Sequence, residues 1–93
     1  MDNVGADFRE AFLEMLSIMG SDCEAGGEKR KALKQEKKKE GYVVFQFADE
    51  FAIEVGDRIT EHATETRFDV VDTEATSKAG VFFCFEVTTE RVA

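Results

Sequence analysis

Residues 42–55 read YVVFQFADEFAIEV, and this stretch decides the fold that we predict. Apolar side chains alternate over residues 42–47 with the two-residue period of a half-buried β-strand. Ala48, Asp49 and Glu50 interrupt the alternation, which resumes over residues 51–55. We therefore expect two short strands or one kinked strand. The positions that share its inward face are Val43, Phe45, Phe47, Phe51, Ile53 and Val55.

A hairpin is predicted after the turn signal at Gly56 and Asp57, where glycine accepts a positive φ and aspartate bonds its own backbone. Its strands are residues 58–61 and 66–71, with Phe68 and Val70 turned inward. The polar sequence DTEATSKAG then predicts a loop over residues 72–80.

Residues 81–89 read VFFCFEVTT and predict the last strand. Val81, Phe83, Phe85 and Val87 are expected on one face of it. Because Phe82 and Cys84 make the other face partly apolar, we expect this strand to be covered on both sides, with the N-terminal helix as one cover.

A one-sided amphipathic helix is predicted over residues 6–19, because apolar residues recur there with the period of an α-helix. Leu13 and Ile18 fall off this stripe, so we expect them to contact another subunit or a loop. The residues expected to face the core are Phe8, Ala11, Phe12, Met15, Leu16 and Met19.

Residues 21–41 are predicted to be a loop followed by a basic segment. The sequence SDCEAGG at 21–27 has loop composition. Residues 28–40 carry a net charge of +4 and only two apolar residues, Ala32 and Leu33, which predicts a solvated helix or a mobile arm. The seven basic residues are candidate contacts for a protein partner or for phosphate: Lys29, Arg30, Lys31, Lys34, Lys37, Lys38 and Lys39.

Together these elements predict an α+β protein with a single domain over residues 1–93. An N-terminal amphipathic helix packs on a small antiparallel β-barrel or rolled sheet of four to five strands, SH3-like, within residues 42–89. A chain of 93 residues leaves little stability to spare for a deep, strained catalytic pocket.

The charge and the cysteines limit the classes of partner and compartment. The net charge of −8 disfavours nucleic acid and anionic membranes and favours basic partners, and any nucleic-acid contact through the basic segment is expected to be weak and non-specific. Cys23 and Cys84 lack metal-site spacing and predict free thiols. With no secretion-like or membrane-spanning segment in the sequence, we expect a cytoplasmic or virion location.

The sequence offers little for catalysis, so we predict no enzyme, no cofactor and no metal site. His62, the single histidine, lies in a polar stretch that suggests a solvent-exposed hairpin tip. Asp69, Asp72 and Glu74 match no metal-binding spacing, and no phosphate-binding glycine motif occurs.

Residues 51–59, FAIEVGDRI, followed by RFDVV at 67–71, resemble the barrel core of tailed-phage head-to-tail connector proteins, also called joining or head-closure proteins. In that family a strand ends in a Val-Gly-Asp turn, the next begins with Arg or Thr and an aliphatic residue, and a later strand carries an aromatic-x-Val pair. The resemblance implies a virion or prophage structural component that forms a ring of many copies between portal and tail.

Two functions stay open on this basis. The first is a non-enzymatic structural or assembly protein like the connectors, with subunit contacts through Leu13 and Ile18. The alternative is a small acidic partner-binding or inhibitory module, such as an immunity protein, a nucleic-acid mimic or a mobile-element cassette product.

Overall fold

A computed structural model describes residues 4–37 and 41–92 and shows one helix followed by six strands in this part of the chain. The helix begins two residues earlier than predicted. The elements in chain order are α1 (Val4–Met19), β1 (Ser21–Ala25), β2 (Glu28–Lys37), β3 (Tyr42–Phe47), β4 (Arg58–Glu61), β5 (Arg67–Lys78) and β6 (Val81–Arg91).

The strands form a closed barrel in the order β1-β2-β3-β6-β5-β4, and every neighbouring pair is antiparallel. The barrel closes where β1 pairs with β4 through Cys23 opposite Glu61 and Glu24 opposite Thr60. The predicted α+β fold, a helix packed on a small antiparallel barrel, is confirmed. The predicted number of strands, four to five, was too low because the barrel includes a hairpin from the residues predicted to be a loop and a solvated helix or mobile arm.

That hairpin is formed by β1 and β2, so the predicted loop and basic segment over residues 21–41 is wrong for residues 21–25 and 28–37. Small apolar side chains at Cys23, Ala25 and Ala32 point into the barrel and are almost fully buried. Gly26 and Gly27 form the turn with φ of 62° and 78°, a region that favours glycine. Arg30 and Lys34 share the face of Ala32 on β2, and their side chains are only 25% and 28% exposed.

Residues 51–55 are not a strand, which corrects the second half of the predicted 42–55 pattern. They belong to the connection from β3 to β4, and their apolar side chains cover part of the barrel. The Phe51 ring lies edge-on to Phe47 at 4.8 Å and to Phe85 at 5.3 Å between centroids. Ile53 is buried in the barrel core, whereas Val55 is exposed. The apolar alternation over residues 51–55 therefore reflects the packing of Phe51 and Ile53 on the barrel core, and no strand pairing is involved.

The predicted loop over residues 72–80 is also wrong, because β5 continues to Lys78 and turns tightly at residues 79–80 into β6. Two register irregularities shape this long hairpin. Val71 is left without a cross-strand partner between Val70 and Asp72, and Phe83 is left without one between Phe82 and Cys84. Each extra residue reverses the side-chain alternation beyond it.

The irregularity at Phe83 corrects its predicted position on the barrel face. Phe82 packs against the barrel core, whereas Phe83 and Cys84 both pack under α1. A strict two-residue period cannot produce this arrangement. The strand is nevertheless covered on both sides, as predicted. The barrel core contains Cys23, Ala25, Ala32, Val43, Phe45, Phe47, Ile53, Ile59, Phe68, Val70, Phe85 and Val87.

We predict that Phe45→Ala lowers the free energy of unfolding by about 3–5 kcal/mol. Phe45 is 2% exposed and its ring meets the edge of Phe68 at 5.1 Å, so truncation leaves a cavity at the centre of the barrel. Phe8→Ala is the control, since Phe8 lies on an exposed helix surface and its truncation should cost less than about 1 kcal/mol. Urea denaturation measures both. Equal losses for the two variants would contradict this placement of the core.

Candidate protein-binding surface

The helix α1 is fixed to the barrel by a narrow apolar contact. Phe12 and Leu16 are buried against Cys84, with Leu33, Ala48 and Phe83 packed around them. The rings of Phe12 and Phe83 are tilted, with centroids 5.3 Å apart. Gly5 is buried so close to the Lys78 carbonyl and the Val81 side chain that a β-carbon at this position would clash with both. This contact sets the orientation of every other helix residue.

Arg9 provides a polar attachment beside that contact. Its Nη1 donates hydrogen bonds of 2.9 Å to the carbonyl oxygens of Ala48 and Phe83. The pairing of β3 with β6 ends at Phe47 opposite Phe85, so the guanidinium bonds carbonyls just beyond the last strand pair. Its Nη2 also lies 3.4 Å from Asp49 Oδ1, and the guanidinium carbon lies 4.9 Å from the centre of the Phe82 ring. Arg9 therefore holds α1 where two strands separate.

A second apolar stripe on α1 faces solvent, and we call its six residues the α1 stripe. Successive helix residues turn by about 100°, which places this stripe about 90° around the axis from the buried residues. Phe8, Met15 and Met19 are 50%, 49% and 66% exposed, so the prediction that they face the core is wrong. The α1 stripe consists of Val4, Phe8, Ala11, Met15, Ile18 and Met19.

The structure separates the two residues predicted to make subunit contacts. Ile18 is 75% exposed and belongs to the α1 stripe. Leu13 is 39% exposed and lies about 170° from the centre of the stripe, on the other side of the helix. The two residues therefore belong to different surfaces, and only Ile18 continues a row of apolar side chains.

A row of carboxylates borders the α1 stripe on the side away from the barrel. Asp7, Glu10 and Glu14 recur at helical spacing and lie about 100° from the centre of the stripe. All three are exposed, and none forms an ion pair with another residue in the described ranges 4–37 and 41–92. We call these three residues the acidic row.

The basic residues of β2, in contrast, are mostly neutralised within the chain. Lys29 lies 3.6 Å from Asp22, Arg30 3.2 Å from Glu28 and Lys34 2.9 Å from Glu61. Arg30 also stacks on the Phe51 ring, 3.8 Å from its centre. Lys31 is exposed and forms no ion pair with any described residue. The backbone of Lys37 belongs to β2, and Lys38 and Lys39 lie outside the described residues.

An open pocket of about 380 Å³ lies near the β4–β5 turn and is polar in character. Glu61 is a buried lining residue of this pocket and accepts hydrogen bonds from Lys34 and from the Thr64 hydroxyl. Burial raises the pKa of Glu61, but these hydrogen bonds and the charges of Lys34 and Arg91 outweigh burial and lower it. The pocket is lined by Glu24, Thr60, Glu61, His62, Glu65 and Arg67.

His62 is exposed at the rim of this pocket, near the turn where the sequence analysis expected it. Its backbone N–H donates to the Asp22 carbonyl oxygen. Asp69 forms an ion pair with Arg58 at 3.2 Å. Among residues 4–37 and 41–92, no group of three or more histidine, cysteine, aspartate or glutamate side chains is placed to hold a metal ion.

Both cysteines are free thiols buried in the protein. Burial, followed by the nearby charges of Asp22 and Glu61, raises the pKa of Cys23 to about 11. Burial also raises the pKa of Cys84, whose sulfur lies 3.3 Å from the Thr76 hydroxyl. A thiol that stays protonated and covered is a poor nucleophile, so both thiols act as small core side chains.

Comparison with known proteins identifies no relative, since no protein-family model, no curated protein and no solved structure matches the chain. Within the described ranges, α1 is too short and too polar to cross a bilayer.

We predict that Glu61 makes the folded state less stable in acid. A carboxylate whose pKa is lowered by folding stabilises the protein above its unfolded pKa of about 4.3, and this contribution is lost as the pH falls through the folded pKa. Glu61→Gln should therefore weaken the rise in unfolding free energy between about pH 2 and pH 5. The control Glu24→Gln removes an exposed carboxylate of the same pocket. Identical pH profiles for the wild type and Glu61→Gln would contradict the lowered pKa of Glu61.

We also predict that neither thiol reacts with a disulfide reagent in the native protein, and that both react in denaturant. Cys23 is 1% exposed only because residues 21–25 form β1. Were this segment a solvated loop, Cys23 would react at once while Cys84 stayed protected. Single variants Cys23→Ala and Cys84→Ala assign each reaction, and rapid native labelling of Cys23 would argue against the β1–β2 hairpin.

Proposed function

We propose that this chain is a non-enzymatic assembly protein that binds other proteins through the α1 stripe, in the manner of the connector proteins that its sequence resembles. The observation that carries the proposal is the exposed row of one Phe, one Val, one Ile and two Met along a helix whose other apolar side already fills the core contact. Contiguous apolar surface of this kind marks interaction sites, because keeping it in water costs free energy.

The position of the stripe favours binding over a passive role. Phe12 and Leu16 pack without help from Phe8, Met15 or Ile18, so folding places no demand on the apolar character of the stripe. Arg9 and Gly5 hold the helix against two strands of a closed barrel. A surface that is rigid before binding loses less conformational entropy when a partner docks.

In the connector version of the proposal, many copies form a ring in a virion or prophage particle. A ring needs head-to-tail contacts, in which the α1 stripe of one copy meets a different surface of the next. The basic segment was expected to contact a neighbour or DNA in this version. The ion pairs of Lys29, Arg30 and Lys34 leave fewer free charges for that role than the sequence suggests.

A second candidate, a small acidic module that binds a basic partner, is favoured by the acidic row. Three carboxylates without ion pairs in the described chain lie directly beside the apolar surface. The net charge of −8 adds a long-range attraction for a cationic partner. Both candidates use the same helix face and differ in whether the partner is another copy.

Solution mass tests the proposal and separates the candidates. We expect the wild type to form an oligomer of fixed mass by light scattering, Ile18→Glu to dissolve it by burying a charge in the contact, and Leu13→Glu to leave it intact. Melting curves verify that both variants fold. A wild-type monomer at every protein and salt concentration would contradict the ring and leave the acidic module. An oligomer that Ile18→Glu does not alter would contradict the role of the α1 stripe.

A further inference from the structure

We infer that the α1 stripe accepts an amphipathic helix that carries lysine or arginine along one flank of its apolar face. This inference rests on the part of the proposed function that both candidates share, the binding of a protein through the α1 stripe, and it names the chemistry of that partner. It follows from three properties of α1: the exposed apolar stripe, the acidic row beside it, and the absence of ion pairs to that row within the described chain.

The shape of the surface favours a helical partner. The 16 residues of α1 extend the stripe over about 24 Å, or four helical turns. The backbone N–H and C=O groups of a helix are bonded internally, so an extended peptide would gain no main-chain hydrogen bonds here. A second helix can instead place its side chains between those of Phe8, Met15 and Ile18, with the two axes about 8–10 Å apart.

The acidic row sets the charge of the partner. Asp7, Glu10 and Glu14 occupy successive turns along the outer border of the stripe. A partner helix packed on the stripe brings its own outer flank close to this row. Lysine or arginine on that flank can lie over the apolar border with its carbon chain while its charge reaches a carboxylate. Glutamate or aspartate there would face like charge along the whole contact.

The same charges disfavour a second copy docked through its own stripe. A two-fold axis perpendicular to two antiparallel helices places both acidic rows on the same side of the contact. A two-fold axis parallel to the helices instead sets each acidic row against the barrel of the other copy, which belongs to a chain of net charge −8. The first arrangement brings two acidic rows together, and both bring together chains of net charge −8, whereas a basic helix neutralises the row.

The composition of the α1 stripe indicates how closely the apolar side chains of the partner must fit it. Met15 and Met19 are flexible and polarisable, and methionine adapts to differently shaped apolar side chains. Phe8 is the single aromatic residue of the stripe. We therefore expect the α1 stripe to bind partner helices with different apolar residues. We expect it to distinguish between partners by the charge beside those residues.

Three synthetic helical peptides test the inference by fluorescence anisotropy with the full chain. The first has a leucine face flanked by lysine, and the second has the same face flanked by glutamate. The third contains the residues of the first in an order that destroys the apolar face and keeps the charge. We expect the first to bind at least about tenfold more tightly than the other two at low salt, and its advantage over the glutamate peptide to shrink as salt screens the charges.

Variants of the chain assign that binding to the proposed surface. The triple variant Asp7→Asn, Glu10→Gln and Glu14→Gln should weaken binding of the lysine peptide about tenfold, because it removes charge without changing shape. Ile18→Ser should also weaken it, and Leu13→Ser, on the other side of the same helix, should not. Melting curves confirm that each variant is folded. These substitutions alter exposed side chains outside both core clusters.

Several outcomes would overturn the inference. Equal binding of the lysine and glutamate peptides would remove the charge argument, and equal binding of the lysine peptide and its rearranged form would show general attraction to an acidic protein. If no peptide binds while Ile18→Glu dissolves a wild-type oligomer, the proposed function stands and this inference fails. If the wild type is a monomer that binds the lysine peptide through Ile18 and the acidic row, the ring version fails and this inference stands.

Discussion

The closure of the barrel depends on the short pairing of β1 with β4. Only two residue pairs join these strands, Cys23 with Glu61 and Glu24 with Thr60. The contact places the Cys23 side chain in the core and the Glu61 carboxylate within reach of Lys34. Strands that pair on both sides no longer present one of the open edges through which sheets aggregate. The charged β1–β2 hairpin is therefore a structural part of the barrel.

Closure of the barrel also explains why only one of the two apolar sides of α1 is buried. The barrel interior is filled by its own strands and by Phe51 and Ile53 from the connection, so it needs no helix residue. The helix instead covers the outside of the sheet, where Cys84 faces it by alternation with Phe85 and the irregularity in β6 adds Phe83 beside Cys84. That patch is narrow and accommodates only Phe12 and Leu16 at its centre. The remaining apolar residues of α1 stay in water because no surface of the described chain covers them.

The distribution of ion pairs separates charges used for folding from charges available for binding. Lys29, Arg30 and Lys34 have acidic partners within the chain, and Lys34 compensates a buried carboxylate. The acidic row on α1 has none in the described residues. The segment that looks most like a binding arm in the sequence is thus partly occupied by the fold. The surface with unused charge and unused apolar area lies on the helix, which supports placing the interaction there.

The sequence by itself determined the helix, β3, β4, β6 and the helix-on-barrel class, because these elements carry the 3.6-residue or two-residue period of an amphipathic surface. It could not predict β1 and β2, since their residues in the barrel core are only cysteine and alanine, and the charged Arg30 and Lys34 alternate with Ala32 on the same face. That composition is typical of a solvated segment. The alternation at Phe51 and Ile53 arose from packing on the barrel core. The reversal of side-chain direction at Phe83 arose from an extra residue in β6. The hydrophobic pattern of α1 likewise established an apolar surface without dividing it between core and solvent. That division follows from the contact between helix and barrel, because burial depends on the shape of the sheet that the helix meets.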